Sequence, residues 1–325
     1  MTALVRTLAV VAVAVAAVSV PSAAAAEPKR LTVAFLDLSL KLNAPPTPLS
    51  ADRASAAAAE LSAVNADIIL VSGLASENDS ATLQGALGGE YVFTKSAAGP
   101  TPNGRVAIIS KIKPETCEIV AGKKYNVKKN TPIPVGNDFI HAVFNLDGYR
   151  LHIIAGLLKD RAKHPLYGQT NMRRYEAREL RKLATAILKK KIDANILVIG
   201  NMNDTCGKSP LKELYSRRSK PARRLYDLRP VDHINVAWTA VDETTDEYER
   251  IDYVLASSGI VPETLKDSLK ILHKGNWRSA SAHRVVSVSI ACRDAALWSE
   301  QRLEKEFPYS IRYADAAPNK GKNAE

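Results

Sequence analysis

Apolar residues along the chain follow two different periods. Short runs rich in β-branched and aliphatic residues, such as RLTVAFLDLSL at 30–40, ADIILVSGL at 66–74 and ANILVIGN at 194–201, predict buried strands. The Asp-Gly pair at 147–148 predicts a turn that joins two strands within 138–158. Further strands are predicted at 91–96, 103–111, 250–257 and 283–292.

Two longer segments have the helical period. SADRASAAAAELSAV at 50–64 is alanine-rich and opens with a serine of the type that caps helices. In NMRRYEARELRKLATAILKKK at 171–191 the apolar residues share one face and the other face is charged; they are Ala177, Leu180, Ala184, Ile187 and Leu188. Strands interleaved with two main helices, without a repeat or a long linker, predict one α/β sandwich of two sheets with helices packed outside.

The two ends of the chain differ from this pattern. Arg6 is followed by an uncharged apolar run and then PSAAAAE, which predicts a secretory signal peptide over residues 1–26; an uncleaved membrane anchor is the alternative. Roughly 300 residues remain, enough for one large domain, predicted at 27–313, with a polar, disordered tail at 314–325. No later run is long enough to span a bilayer. We therefore expect an exported bacterial protein, periplasmic or secreted.

Charge and cysteine content limit the partners, disulfides and metal sites that are expected. The formal net charge is +11, and loss of Arg6 with the signal peptide leaves +10, a balance that favours phosphate-bearing or polyanionic partners. The alternative is a basic surface that only keeps the protein soluble. Cys117, Cys206 and Cys292 allow at most one internal disulfide, and their spacing fits no zinc motif.

Polar residues stand at the ends of several predicted strands or inside them. Asp37 lies within the first strand, Asn201 and Asn203 follow the run ILVIG, Asp252 interrupts an apolar strand, and His283 precedes the last strand. Each residue alone has a plain structural explanation, because Asn near Gly favours turns and a single His is commonly part of a packed core. Together they indicate a site.

These segments, in this order, resemble the endonuclease/exonuclease/phosphatase superfamily, the metal-dependent phosphoesterases built like pancreatic deoxyribonuclease. The resemblance extends from about Arg30 to Cys292. It rests on RLHIIAGLLKDR at 150–161, VIGNMND at 198–204, WTAVD at 238–242, RIDYVLAS at 250–257 and SASAHRVV at 279–286. It implies a four-layer α-β-β-α sandwich of two packed mixed sheets with outer helices.

The resemblance also implies a chemistry. In the family a Glu binds the divalent metal, an Asp activates water, an Asn two residues later holds the phosphate, and a His is oriented by the Asp of an Arg-Ile-Asp-Tyr strand. A divalent cation polarises the phosphoryl oxygens and needs oxygen ligands, chiefly carboxylates.

Four of the family's positions have changed in this chain. Gly73 stands at the metal-binding Glu, Asn201 at the water-activating Asp, Ala282 at the Asp before the last His, and Leu157 at the His of another strand. The residues that match are Asn203, Asp204, Asp252 and His283, and Asp37 replaces the usual Asn of the first strand.

These losses predict a catalytically inactive relative that needs no cofactor and binds a phosphate-bearing or polyanionic ligand in the old cleft, with a vestigial site of His283, Asp252, Asn203 and Asn201. The alternative is an active metal-dependent phosphodiesterase or nuclease with a rebuilt site, in which Asp37 and Asp204 help to bind Mg²⁺ or Mn²⁺. Whether the chain is an enzyme stays open at this stage. In either case Asp252 should lie within hydrogen-bond reach of His283 at the mouth of the cleft, because an aspartate inside an apolar strand needs a partner. The alternative is that Asp252 caps a local turn or pairs with Arg250.

Overall fold

The structure is a computed structural model that describes residues 28–97, 104–128, 131–165, 167–215, 221–272, 277–308 and 310. The predicted signal peptide and the predicted tail lie outside these residues. Within them, no helix is long and apolar enough to cross a bilayer. Cys117, Cys206 and Cys292 are free thiols.

Sixteen strands and five α-helices make up the regular structure of the described chain. The strands are β1 (Arg30–Asp37), β2 (Ile68–Leu74), β3 (Phe93–Ala97), β4 (Arg105–Ser110), β5 (Thr116–Val120), β6 (Lys124–Lys128), β7 (Thr131–Pro134), β8 (Phe139–Leu146), β9 (Tyr149–Leu157), β10 (Asn195–Asn201), β11 (Leu225–Asp227), β12 (Ala240–Asp242), β13 (Glu247–Glu249), β14 (Asp252–Ser257), β15 (Lys270–Leu272) and β16 (Val285–Ala291). The helices are α1 (Ala51–Ser62), α2 (Glu77–Leu87), α3 (Gln169–Lys190), α4 (Ser209–Tyr215) and α5 (Glu300–Glu306).

Two six-stranded sheets form the centre of the fold, with strand orders β15-β16-β1-β2-β4-β3 and β11-β14-β10-β9-β8-β5. Each is mixed, because β1 pairs in parallel with β2 and β10 in parallel with β9, while the other pairings are antiparallel. Apolar side chains from both sheets, among them Phe35, Leu70, Phe144 and Ile199, form the core between them. α1 covers the outer face of the first sheet, and α3 and α4 cover that of the second. The predicted four-layer sandwich is confirmed.

Local sequence signals explain the elements that were predicted. The Ser50 hydroxyl accepts the backbone N–H of Arg53 at 3.3 Å and caps α1. The turn between β8 and β9 has Asp147 and Gly148 at positive φ, as a tight hairpin turn requires. The predicted helical face of α3 is buried, apart from Ile187, which is half-buried.

The sequence pattern did not predict α2, α4, α5 or several strands of three to five residues. α2 begins with a capping box in which Ser76 and Asp79 bond each other's backbone, but its interior is only weakly amphipathic. Short edge strands such as β11 and β15 have three residues each, too few for a period to be read.

One close approach of backbones fixes the edge at which the site lies. Gly200 of β10 pairs with Gly156 of β9, and a Cβ built on Gly200 would lie 1.8 Å from the carbonyl oxygen of Gly156. Only glycine fits there. β9 and β10 end side by side here. The side chain of Asn201, the last residue of β10, reaches from the second sheet to Asp37 at the end of β1 in the first sheet.

Candidate functional site

The Asp37 carboxylate, at the end of β1, is the centre of a hydrogen-bond network between the two sheets. Its Oδ2 accepts from the Ser72 hydroxyl at 2.6 Å and from Asn201 Nδ2 at 3.0 Å, and its Oδ1 accepts the backbone N–H of Ser39 at 2.8 Å. Asp37 is only 1% exposed. Residues from both sheets thus satisfy this buried charge, as a carboxylate taken out of water requires.

Asp252 and His283 form the second part of the centre. His283 Nδ1 lies 2.8 Å from Asp252 Oδ2, which confirms the predicted hydrogen bond. The alternative pairing of Asp252 with Arg250 is wrong, because the Arg250 guanidinium binds Asp227 instead. The pair is not at an open mouth, however, since both side chains are buried.

Backbone contacts hold both members of this pair in place. The Thr239 hydroxyl accepts the backbone N–H groups of Ile251 and Asp252, at 3.1 and 3.0 Å. The Ser281 hydroxyl accepts the backbone N–H of His283 at 2.8 Å and donates to the carbonyl of Asp37. Positioning of the histidine is therefore built into the local chain.

The charges of the centre are mutually dependent. His283 Nε2 lies 3.9 Å from Asp37 Oδ1, so two carboxylates face one imidazole ring. Burial alone would lower the pKa of His283, but the Asp252 and Asp37 carboxylates outweigh burial and raise the pKa to about 9. Burial raises the pKa of Asp252, although the nearby His283 opposes this shift. For Asp37, burial is outweighed by the His283 imidazolium and by hydrogen bonds from Ser39, Ser72 and Asn201, so the pKa is lowered. His283 is thus a buried cation at neutral pH.

Position 73, where the resemblance predicts the family's metal-binding Glu, has no room for a side chain. Gly73 has φ +72°, and a Cβ built on it would lie 2.6 Å from Asp37 Oδ1, 2.7 Å from Ser39 Oγ and 2.8 Å from the Ser39 nitrogen. The pairing of β2 with β4 is irregular between Val71 and Leu74, which accommodates this backbone. The Asp37 carboxylate and Ser39 therefore occupy the space from which any side chain at position 73 would start.

The remaining predicted site residues do not all meet at this centre. Asp204 faces α3, where its carboxylate binds Arg173 at 3.0 Å. Asn203 has φ +48°, and its side chain donates to the carbonyl of Leu158 at 2.7 Å while its backbone N–H donates to Asn201 Oδ1 at 2.8 Å. Asn201, Asp37, Asp252 and His283 are brought together; Asp204 is not among them.

Two of the altered positions carry apolar side chains. Leu157, at the end of β9, is part of the core between the sheets. Ala282 is buried, and its backbone N–H donates to the carbonyl of Ser39 at 2.8 Å. Neither side chain offers a polar group to a ligand.

Arg161, which was not predicted as a site residue, contacts three segments that are distant in sequence. Its backbone N–H donates to Asn43 Oδ1 at 3.0 Å, its Nε donates to the Asn203 carbonyl at 2.9 Å, and its guanidinium pairs with Glu249 at 2.6 Å. Arg161 therefore joins the loops that carry Asn43 and Asn203 to the end of β13. A basic residue in a loop gives no sequence signal for such a role, and neither do Ser39, Ser72, Thr239 and Ser281.

The residues present do not fit the divalent metal of the family. Position 73 cannot supply a carboxylate, Asn201 is an amide that already donates to Asp37, and the Ala282 side chain has no ligand atom. Among the described residues, no three His, Cys, Asp or Glu side chains are grouped so that they could hold a metal ion. The Asp37 oxygens are instead used in hydrogen bonds.

Comparison with known proteins agrees with this fold. The sequence profile of the Endonuclease/Exonuclease/phosphatase family matches residues 42–268, and the chain belongs to this family. No curated protein sequence matches the chain significantly.

Similar solved structures share the fold at low identity. Sphingomyelinase C from Streptomyces griseocarneus has a TM-score of 0.56 at 15% identity, covering 81% of this chain and 99% of its own. A beta toxin from Staphylococcus aureus has a TM-score of 0.55 at 15% identity, covering 79% and 99%. An endonuclease/exonuclease/phosphatase from Bacteroides vulgatus has a TM-score of 0.56 at 13% identity, covering 82% and 100%.

Proposed function

We propose that this chain is a catalytically inactive member of its family, in which the former reaction centre serves as a closed polar core between the two sheets. The observation that carries the proposal is the occupied space at position 73. Asp37 Oδ1 and Ser39 fill the volume in which a metal-binding side chain would begin. A metal ion normally contributes the largest electrostatic stabilisation in phosphoester hydrolysis, so its loss removes most of the catalysis.

The substitution at position 201 supports the same conclusion. An amide cannot take a proton from water, and loss of a general base typically reduces rate by two to four orders of magnitude, about 10²–10⁴-fold. Asn201 is also held on both sides, because it donates to Asp37 and accepts from the Asn203 backbone. It is a structural link between β10 and β1.

A phosphate-bearing or polyanionic ligand remains part of the proposal, with the net charge of +11 as its support. Because Asp37, Asn201, Asp252 and His283 are all buried, such a ligand would contact the rim of the old cleft unless the covering loops move. The N-terminal pattern supports export to a periplasmic or extracellular compartment. Binding should be independent of metal and should weaken steeply with salt in the presence of EDTA. A flat salt response would exclude it.

One observation favours the second candidate, a phosphodiesterase with a rebuilt site. His283 Nε2 is buried and has no hydrogen-bond partner among the described residues, so this nitrogen retains a donor that could serve a phosphate. Because His283 is buried, access to it would require the surrounding chain to move.

Hydrolysis assays separate the two candidates. The purified protein should be incubated with bis-nitrophenyl phosphate, DNA and sphingomyelin, with Mg²⁺ or Mn²⁺ and with EDTA, beside a His283→Ala variant. We expect product formation equal to a buffer blank for both proteins. Metal-dependent turnover that the variant loses would overturn the inactive assignment and establish the rebuilt enzyme.

A further inference from the structure

Two histidine side chains meet on the outer face of the second sheet, away from the centre between the sheets. His141 lies on β8 and His152 on β9, and His141 Nε2 is 3.1 Å from His152 Nδ1. The rings are nearly parallel, with 17° between their planes and 5.4 Å between their centroids. Both residues are only half-buried, so solvent reaches the pair.

The strand register explains why the two side chains share a face. β8 and β9 are antiparallel neighbours, with His141 opposite Ile154 and Val143 opposite His152. The two histidines are thus diagonal neighbours, and long side chains at such positions can contact each other. Ile154, on the same face, packs in the outer apolar layer with α3. The pair therefore points away from the core between the sheets.

The surroundings of these rings differ from those of His283. His283 bonds a carboxylate, whereas His141 and His152 are hydrogen-bond partners of each other. Burial lowers the pKa of both rings, to about 4 for His152. Both imidazoles are therefore neutral at neutral pH, and neutral imidazole is the form in which histidine binds metal ions.

The separation of the two facing nitrogens suits a shared metal ion. Zn²⁺ binds imidazole nitrogen at about 2.0–2.1 Å, and two such bonds at angles between a right angle and the tetrahedral value hold the nitrogens about 2.8–3.4 Å apart. The observed distance of 3.1 Å lies within this range. The ion would lie on the solvent side of the line between the nitrogens. Each ring must turn to aim its lone pair at the ion, and half-buried side chains have the freedom to do so.

The charged groups around the pair do not repel a cation. Glu118 on β5 is exposed, lies opposite His141 and acts on it electrostatically. Two cations, Arg150 and Lys191, act on the other ring. Arg150 is paired with Glu115 at 3.1 Å, which leaves one carboxylate and one ammonium to balance each other.

We propose that His141 and His152 form a binding site for a divalent transition-metal ion of the Zn²⁺, Ni²⁺ and Cu²⁺ class. Imidazole suits these ions, and they bind nitrogen sites more tightly than Mn²⁺ does. No third His, Cys, Asp or Glu of the described chain is grouped with the pair, so water completes the coordination. The site lies outside the second sheet, whereas Asp37 and His283 lie between the sheets, so the inference does not rest on the proposed function of that centre.

Ni²⁺ is the probe that tests this site. It is titrated calorimetrically into the full protein without a histidine tag, and we expect saturable one-to-one binding. His141→Gln and His152→Gln should each weaken the affinity at least about tenfold, because even groups that only orient metal ligands contribute about 10–100-fold. His233→Gln is the matched control, since it removes an exposed histidine elsewhere in the chain. This control should bind Ni²⁺ as the wild type does.

A gain of affinity keeps the test decisive even if a glutamine variant folds poorly. Glu118→His places a third imidazole opposite His141 on the same face, and it should bind Ni²⁺ at least about tenfold more tightly than the wild type. Ni²⁺ should also raise the melting temperature of the wild type, an effect that EDTA reverses and that His152→Gln lacks. Unchanged or weaker binding by Glu118→His would place the ion elsewhere and overturn the site.

The site is also overturned by absence of saturable Ni²⁺ binding to the wild type, or by equal binding to the wild type and both glutamine variants. Asp37→Asn separates this site from the centre between the sheets, and it should leave Ni²⁺ binding unchanged. Loss of binding in Asp37→Asn would place the ion in the centre, against both this inference and the proposed function. Loss in the histidine variants alone would support the outer site.

Discussion

The two halves of the buried centre differ in how well they match the residues that the family resemblance predicts. In the half formed by β14 and the loop before β16, Asp252 and His283 match the prediction and are joined at 2.8 Å. In the half formed by β1, β2 and β10, Asp37, Gly73 and Asn201 stand where the resemblance predicts an Asn, a Glu and an Asp. The residues predicted to orient the histidine are thus present, and those predicted to hold the metal and activate water are not.

Local structure explains the difference. The Thr239 and Ser281 hydroxyls accept the backbone N–H groups of Asp252 and His283, and the two side chains bond each other. Loss of either side chain would therefore leave the other buried without its partner. In the other half, Asn201 on β10 donates to the Asp37 carboxylate on β1 at 3.0 Å. The resemblance predicts an acid on β10 and an amide on β1, which is the reverse arrangement.

The largest effect on stability is expected from breaking the pair of Asp252 and His283. Asp252→Ala leaves the His283 imidazolium buried without its main partner, and loss of one member of such a pair costs about 3–5 kcal/mol of unfolding free energy. Urea unfolding at neutral pH measures it. Asp267→Ala, at an exposed aspartate, should change stability by no more than about 0.5 kcal/mol. A similar small effect for Asp252→Ala would mean that the pair does not stabilise the fold.

Stability should also fall at alkaline pH, because His283 loses its proton there. The pKa of His283 is about 9 in the folded protein, above its ordinary value of 6.5. A raised pKa stabilises the fold fully below the unfolded value, and this contribution, roughly 3 kcal/mol, is lost as pH rises from about 6.5 through about 9. Urea midpoints across this window should fall for the wild type and change less for His283→Asn. Parallel curves for the two proteins would contradict the assignment of the buried cation.

The altered half is tested by adding one methyl group. Gly73→Ala and Gly122→Ala have nearly the same backbone strain, with φ +72° and +67°, but nothing lies within 4 Å of a Cβ at Gly122. The unfolding free energy of Gly73→Ala should therefore be about 2 kcal/mol lower than that of Gly122→Ala, because the added methyl group would be overpacked against Asp37 and Ser39. Equal losses would show that the space at position 73 is free.

Substitutions at Asn201 and Asp37 should have a smaller effect on stability, and the second substitution should rescue the first. Asn201→Asp places a second carboxylate beside Asp37 and removes a hydrogen bond, which should cost about 1–2 kcal/mol at neutral pH. Adding Asp37→Asn restores one acid and one amide, so the double variant should recover most of that loss in a double-mutant cycle. Additive losses would indicate that the two side chains do not act as a pair.

The fold and the candidate site were predictable from the sequence to different degrees. Strand periodicity and segment order were sufficient for the sandwich, and the need of Asp252 for a partner predicted its contact with His283. The burial of the centre was not predictable, because it depends on long-range contacts such as those of Asp37 with Asn201 and with the backbone at Gly73. From the sequence, Asp204 was a candidate metal ligand. The structure shows that its carboxylate binds Arg173 on α3 instead.

Calorimetric titration of Mn²⁺ into the metal-free protein tests the central claim most directly, namely that the former reaction centre is a closed polar core without a metal site. With Asp37 bonded to Ser39, Ser72 and Asn201, we predict no saturable heat of binding, and the same trace for Asp37→Asn. A stoichiometric isotherm of micromolar affinity that Asp37→Asn abolishes would contradict the account.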